Sequence, residues 1–215
     1  RNLTAPEIVG QVMLARDALG EWPSQPEGRL LTNIVMMGMG EPLYNFENVR
    51  DALKIVMDGD GLALSKRRIT LSTSGVVPMM ARAGEEIGVN LAVSLHAPDD
   101  ATRAALIPAG RRFPVAEVLA AADRFQAARG RTVIIQYCLL RGVNDSPAQA
   151  SLLADLLATR RMHVNLLTYN PTGTGLSGTQ YEPAHDTEAE TFAGLLRARG
   201  VVAHFRRSRG PDIDA

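Results

Sequence analysis

The stretch Asn33-Ile34-Val35-Met36-Met37-Gly38-Met39-Gly40-Glu41-Pro42 decides how the chain is read. An apolar run ends abruptly in two glycines, an acid and a proline. A run this apolar predicts a strand, Leu31–Met37, covered on both faces as in a parallel sheet. The glycines let the backbone turn sharply and come close to a ligand, because no Cβ stands in the way. Glu41 then falls just past the carboxyl end of a buried strand, where parallel α/β proteins hold their ligands.

Outward from this turn the pattern alternates. Upstream, Thr4 and Glu7 have capping-box spacing, and Ile8, Val9, Val12, Met13 and Leu19 recur at helical intervals, predicting a helix over Thr4–Leu19. A proline-broken polar loop, 22–28, separates it from the strand. Downstream, helices are predicted at Phe46–Met57, Pro78–Glu86, from an Asp99 or Asp100 cap to Leu106, and from Pro114 to Gly130. Another opens at Ser146-Pro147 with Leu152, Leu153, Leu156 and Leu157 inward. The last runs from a Thr187/Glu190 capping box to Gly200. Strands are predicted at Arg68–Ser72, Asn90–Ser94, 132–140, Val164–Leu167 and Val201–Phe205, and a glycine-rich loop at 173–178. This order argues for an α/β fold with a parallel sheet and crossover helices.

Polar residues end the strands at Glu41, Ser72, Ser94 and Asn170. The first three are 31 and 22 residues apart, about one βα unit each. Such repetition points to one ligand site on one rim.

The 215 residues, 46% hydrophobic and 21% charged, suit one globular domain. There is no apolar run of membrane-spanning length and no signal peptide, so a membrane role is not expected. Net charge is zero, which gives no overall nucleic-acid footprint. Arginines nevertheless cluster at Arg67-Arg68, Arg111-Arg112, Arg160-Arg161 and Arg206-Arg207-Ser208-Arg209. Cys138 is the only cysteine, so no disulfide framework exists and a cytoplasmic location is expected. One cysteine and four scattered histidines have no metal-site spacing.

Gly38-Met39-Gly40 lacks the third glycine of a dinucleotide fingerprint. Ser94 and His96, two apart on one strand, could be neighbours, but no nucleophile elbow accompanies them, which argues against a hydrolase. A ligand with an α-amino group, a carboxylate and a ribose matches better. Glu41 would accept from the ammonium, Ser72 and Asn170 would serve ribose or carboxylate, and the backbone of Ser94–His96 would meet a base. S-adenosylmethionine carries all these groups, although spacing alone does not select it.

Gly38-Met39-Gly40-Glu41-Pro42, the run from Lys66 to Pro78 (KRRITLSTSGVVP) and Ser94-Leu95-His96-Ala97 closely resemble the dual-specificity RNA methyltransferases of the RlmN/Cfr family, within the radical SAM superfamily. Asn144-Asp145, Asn165-Leu166, Asn170-Pro171 and Arg209-Gly210 with Asp212-Ile213-Asp214-Ala215 continue the likeness from Arg1 to the last residue. The resemblance implies a partial (βα) barrel of parallel strands with outer helices. Residues 1–215 would form its core-domain fragment, without the first strand. It implies S-adenosylmethionine and a [4Fe-4S] cluster held by three cysteines spaced C-x3-C-x2-C. The cluster would generate a 5′-deoxyadenosyl radical, and a methyl-carrying cysteine would deliver carbon to C2 of an adenine. Implied partners are ribosomal RNA, transfer RNA and a reducing electron donor such as flavodoxin.

Carried onto this chain, Gly40 and Glu41 resemble the contacts to the amino group of S-adenosylmethionine, and Ser72 the ribose or carboxylate contact. Ser94, Leu95 and His96 match the adenosyl pocket, and Asn170 a further cofactor contact. The chain also departs from the family. The cluster cysteines are expected just before Arg1, the methyl-carrying cysteine two residues beyond Ala215, and an accessory domain upstream. Cys138 matches none of these roles. Gln136 stands where a glutamate is expected, and Pro211 where an acid is. The chain as given is therefore expected neither to assemble the cluster nor to methylate, although its parent would. A Cfr-like enzyme acting at C8 and a cluster-free paralogue binding only S-adenosylmethionine or RNA share these motifs, so both readings stay open.

Overall fold

The computed structural model describes residues 1–21, 28–38, 40–131, 133–171 and 178–206. The loops expected at 22–28 and 173–178 fall largely outside them, as do Arg207, Arg209 and Pro211. Strands β1 (Ile34–Met36), β2 (Ile69–Thr73), β3 (Asn90–Ser94), β4 (Val133–Leu139), β5 (Met162–Thr168) and β6 (Val202–Arg206) pair in that order, every neighbour parallel. Helices α1 (Ala5–Ala18), α2 (Phe46–Met57), α3 (Val77–Glu86), α4 (Asp100–Leu106), α5 (Val115–Arg129), α6 (Pro147–Leu157) and α7 (Asp186–Ala198) complete the order. Among the described residues β1 and β6 have one strand partner each, so the sheet is an unclosed, partial (βα) barrel.

Alternation along the strands sorts the two faces. Ile69 and Leu71, Leu91 and Val93, Val133, Ile135, Tyr137 and Leu139, and Met162, Val164 and Leu166 enter one apolar core. The helices supply its other side through Leu53, Val118, Leu119, Leu153 and Phe192, with the Tyr137 and Phe192 rings 5.3 Å apart. The intervening positions, among them Ser72, Ser94, Gln136 and Asn165, stay out of that core and mark an open face.

Several elements differ from their sequence expectation for identifiable reasons. β1 is shorter than Leu31–Met37 and is not covered on both faces: Val35 is 54% and Met37 57% exposed. The amides of Leu30 and Leu31 go to the Glu21 carboxylate, itself paired with buried Arg16 at 3.2 Å, so the backbone there is diverted from the ladder. As the edge strand, β1 borders a cleft of about 400 Å³ shared with Leu3, Ile8 and Val12 near α1. On α1, Ile8 is buried, while Met13 and Leu19 are exposed rather than inward. The capping box of α7 is His185 with Glu188, two residues earlier than Thr187/Glu190; Glu190 instead lies 3.7 Å from Arg197. Ser146 caps α6 as expected and reciprocates with Gln149.

On α6 only Leu153 and Leu157 of the four leucines are buried, and Leu152 is 42% exposed. Truncating Leu153 to Ala is therefore expected to cost about 2–5 kcal/mol of stability. Truncating Leu152 is expected to change it by less than about 1 kcal/mol. Urea unfolding of the two variants measures the contrast.

Candidate functional site

Because all six strands run parallel, their carboxyl ends share one rim, and the candidate residues of the sequence fall along it. Gly40 and Glu41 follow β1, and Ser72 is the penultimate residue of β2. Ser94 ends β3 with Leu95 and His96 just beyond, and Asn170 lies two residues past β5. Gly40 has φ +97°, a conformation that glycine adopts without strain.

Glu41 is fixed by its neighbours. Its Oε1 accepts from the Leu43 amide at 3.0 Å, capping the 3-10 turn Pro42–Asn45. Its Oε2 accepts from the amide and hydroxyl of Ser74 at 2.6 and 2.8 Å, which clips the end of β1 to the turn after β2. A carboxylate offers about four acceptor sites; these three bonds leave room for one more donor.

That turn is held in place by Arg103, a residue the sequence did not single out. Arg103, on α4, is fully buried. Its Nη1 donates to the carbonyls of Ser94 and Leu95 at 2.9 and 2.6 Å, and its Nη2 donates to the carbonyl of Ser74. Nε has no partner. Burial lowers its pKa to about 10, with Asp100 working in the opposite direction. Gly75 makes the approach possible: it sits at φ +96°, and a Cβ there would lie 2.9 Å from Arg103 Nη2. Helix α4 is short, capped by Asp99 through the Thr102 amide, and nothing in its local pattern announces a buried guanidinium.

His96 does not stand beside Ser94 on a strand. Its φ of +58° takes it off β3 into the left-handed region, a strained choice for a side-chain-bearing residue. Its Nδ1 accepts the Cys138 amide of β4 at 3.0 Å, so the ring takes the place of the strand partner β3 no longer provides. In neutral His96 the proton is then on Nε2, leaving a donor free for a ligand. Burial and, next, the charge of Arg103 hold its pKa down at about 4. Asn144, also fully buried, locks this corner: Nδ2 donates to the carbonyls of His96 and Cys138 at 2.7 Å each, and Oδ1 accepts the Leu140 amide at 2.7 Å. The Tyr137 hydroxyl donates to the Asn144 carbonyl at 2.8 Å.

Of the basic clusters, Arg206 ends β6 on this rim. Arg67-Arg68 and Arg160-Arg161 instead precede β2 and β5 and mark the opposite rim. Cys138, with burial pushing its thiol up to about 11, is a poor metal ligand. Among the described residues no group of three or more His, Cys, Asp or Glu is placed to hold a metal ion, and no helix is long and apolar enough to cross a membrane.

An unclosed parallel barrel with a polar carboxyl rim defines the class as an α/β barrel protein with its ligand site at the strand ends. The chain belongs to the radical SAM superfamily, whose pattern matches residues 27–172. It is 58% identical over 217 residues to a probable dual-specificity RNA methyltransferase RlmN 1 of Opitutus terrae, covering 100% of this chain and 59% of that protein. It is 58% identical over 218 residues to the dual-specificity RNA methyltransferase RlmN of Rhizorhabdus wittichii, covering 100% of this chain and 53% of that one. The fold superposes on the crystal structure of a radical SAM methyltransferase from Sphaerobacter thermophilus with TM-score 0.90 and 45% identity, over 99% of this chain and 60% of that one. The chain thus spans a little over half the length of these relatives. Membership of the superfamily implies S-adenosylmethionine and a [4Fe-4S] cluster as cofactors.

Two outcomes follow from the buried charges. Replacing Arg103 by Met strips three carbonyls of their donor and is expected to cost at least about 3 kcal/mol, measured by urea unfolding. The pH dependence has a definite sign. Below pH 6.5 an unfolded chain protonates His96 while the native chain does not, so stability declines from pH 6.5 toward about 4. Replacing His96 by Asn flattens the melting-temperature profile across that window.

Proposed function

We propose that this chain is the core of an RlmN-type methyltransferase. In its full-length parent it methylates C2 of adenine in large-subunit ribosomal RNA and transfer RNA, with S-adenosylmethionine bound at the carboxyl rim. One observation carries the reading. The chain matches RNA methyltransferases end to end at 58% identity, and its strand-end polar residues fall on the rim where this fold binds ligands.

In this reading Gly40 and Glu41 receive the ammonium of S-adenosylmethionine, Glu41 through its remaining acceptor site. Ser72 meets ribose or carboxylate. Ser94 and His96 line the adenosyl pocket, with neutral His96 donating from Nε2, and Asn170 adds a further contact. Leu95 has its side chain in the apolar core and its amide and carbonyl bonded to Gln136 and Arg103, so it shapes the turn rather than touching the ligand. The adenosyl cofactor supplies the methyl group and, with the cluster, the radical chemistry of the superfamily. The residues of this chain do not fit the cluster itself: it has one cysteine, half-buried, whose thiol is pushed up to about 11 and so stays protonated near neutral pH. In this reading the rest of the parent supplies the cluster ligands and the methyl-carrying cysteine, and a donor such as flavodoxin reduces the cluster. A C8 product would use the same rim.

RNA would meet the rim carrying Arg206 rather than the rim of Arg67 and Arg161. Calorimetric titration with S-adenosylmethionine and salt-dependent RNA binding test these assignments together. Replacing Ser72 by Ala is expected to weaken S-adenosylmethionine by about three- to tenfold, the worth of one hydrogen bond. Replacing Arg206 by Gln is expected to reduce the salt slope of RNA binding by about one and leave S-adenosylmethionine affinity unchanged. Replacing Arg161 by Gln is expected to leave both unchanged. No S-adenosylmethionine binding by the unaltered chain overturns the reading.

A further inference from the structure

The open face of the sheet carries a row of polar side chains that the rim residues do not account for. Strand register sets Ser94 opposite Gln136, Gln136 opposite Asn165, and Asn165 opposite His204. All four point to the side of the sheet away from the helix-covered core, because their strand neighbours Val93, Ile135, Val164 and Ala203 lie within that core. Adjacent strands lie about 4.8 Å apart, so the row runs about 14 Å across the sheet. That is the scale of a nucleoside with its 5′ substituent.

Within this row Gln136 is anomalous. It is only 9% exposed, and its Oε1 is buried with no hydrogen-bond partner. Buried acceptors are nearly always satisfied, because leaving one unpaired forfeits the hydrogen bonds it made to water. Its flanking residues do not supply a donor. Ser94 instead gives its carbonyl to Arg103, and the Gln136 carbonyl of the main chain is taken by the Leu95 amide at 3.0 Å. The backbone of Gln136 is thus satisfied while its side chain is held ready.

We propose that Gln136 is a ligand-binding residue whose Oε1 accepts a hydrogen bond from the adenosine moiety of a ligand lodged against the open face. Adenosine presents three neutral donors suited to an amide oxygen: the 2′ and 3′ hydroxyls and the exocyclic amine. A neutral carboxamide reads such a group without placing a charge on the open face. The inference rests on the adenosyl-ligand reading above and adds to it a residue within the sheet rather than on the rim. The same chemistry is offered by the adenosine of S-adenosylmethionine and by an adenosine of RNA, and the experiment separates the two.

The unaltered 215-residue chain and its Gln136→Met variant are titrated with S-adenosylhomocysteine and with its 2′-deoxy, 3′-deoxy and purine (amine-free) analogues. A parallel arm uses an RNA oligonucleotide with an internal adenosine and its purine-riboside and 2′-deoxy counterparts, the 3′ oxygen being esterified there. The expected result is a loss of about three- to tenfold in the Met variant, with one analogue losing the same factor against the unaltered chain and nothing further against the variant. The arm in which this coupling appears identifies the source of the adenosine. Thermal melting guards against a structural explanation. Removing an unpaired buried acceptor leaves the melting temperature unchanged or raises it, whereas a residue needed for the fold lowers it. Binding with no coupling in either arm overturns this inference and leaves the broader reading standing. No binding of any adenosyl ligand by the unaltered chain overturns both.

Discussion

One guanidinium that makes no ion pair among the described residues holds the working rim together. Arg103 reaches from a seven-residue helix to the carbonyls that end β3 and to the carbonyl of the turn after β2. A buried cation is costly unless every polar neighbour compensates it. Here compensation comes from the negative ends of three main-chain dipoles, so the charge can persist only if those carbonyls stay where they are. The dependence is mutual. Loops that would otherwise wander are pinned by the penalty of exposing the charge to a poorer set of acceptors. Glu41 joins the arrangement through Ser74, whose amide and hydroxyl it binds while Arg103 binds the carbonyl of the same residue.

The same corner explains why His96 tolerates a left-handed backbone. Leaving β3 there costs strain of order 1–3 kcal/mol. The strained turn swings the imidazole across to the Cys138 amide and sends the His96 carbonyl to Asn144. Two main-chain groups that a shortened strand would leave unpaired are thereby satisfied. Asn144 uses its amide in both senses, as donor to two carbonyls and acceptor from one amide, which a carboxylate in its place could not do.

What the sequence made legible, and what it did not, follows the range of the forces involved. Helix α2 and strand β3 are read to the residue, because their periodicity and end signals are local. The strand-end positions of Glu41, Ser72, Ser94 and Asn170 follow from the alternation of elements, which needs no knowledge of side-chain contacts. Arg103 and Asn144 escaped because their burial is decided by segments 29 and 48 residues away in sequence. An arginine four residues after an N-cap aspartate looks like any solvated helix residue until the turns at Gly75 and Gly110 close against it. Strand β1 was overread for the complementary reason. Apolar residues predict a hydrophobic environment but do not say which of two faces, or which sheet edge, provides it.

The charges of the rim can be ordered by asking what a cationic ligand would meet there. A sulfonium with an ammonium nearby is repelled by any exposed positive group, and within a low-dielectric site that repulsion is weakly screened. Arg103 is turned inward onto carbonyl oxygens, so its charge is offset before it reaches the open face. His96, adjacent to it, is kept neutral by burial and by Arg103 itself. Glu41 then remains the anionic group at the β1 end, tethered by three donors that stop it folding back onto Arg103. The guanidinium that fixes the loops thus adds to burial in suppressing protonation of the histidine, so the rim keeps its shape without a second positive charge forming beside the first.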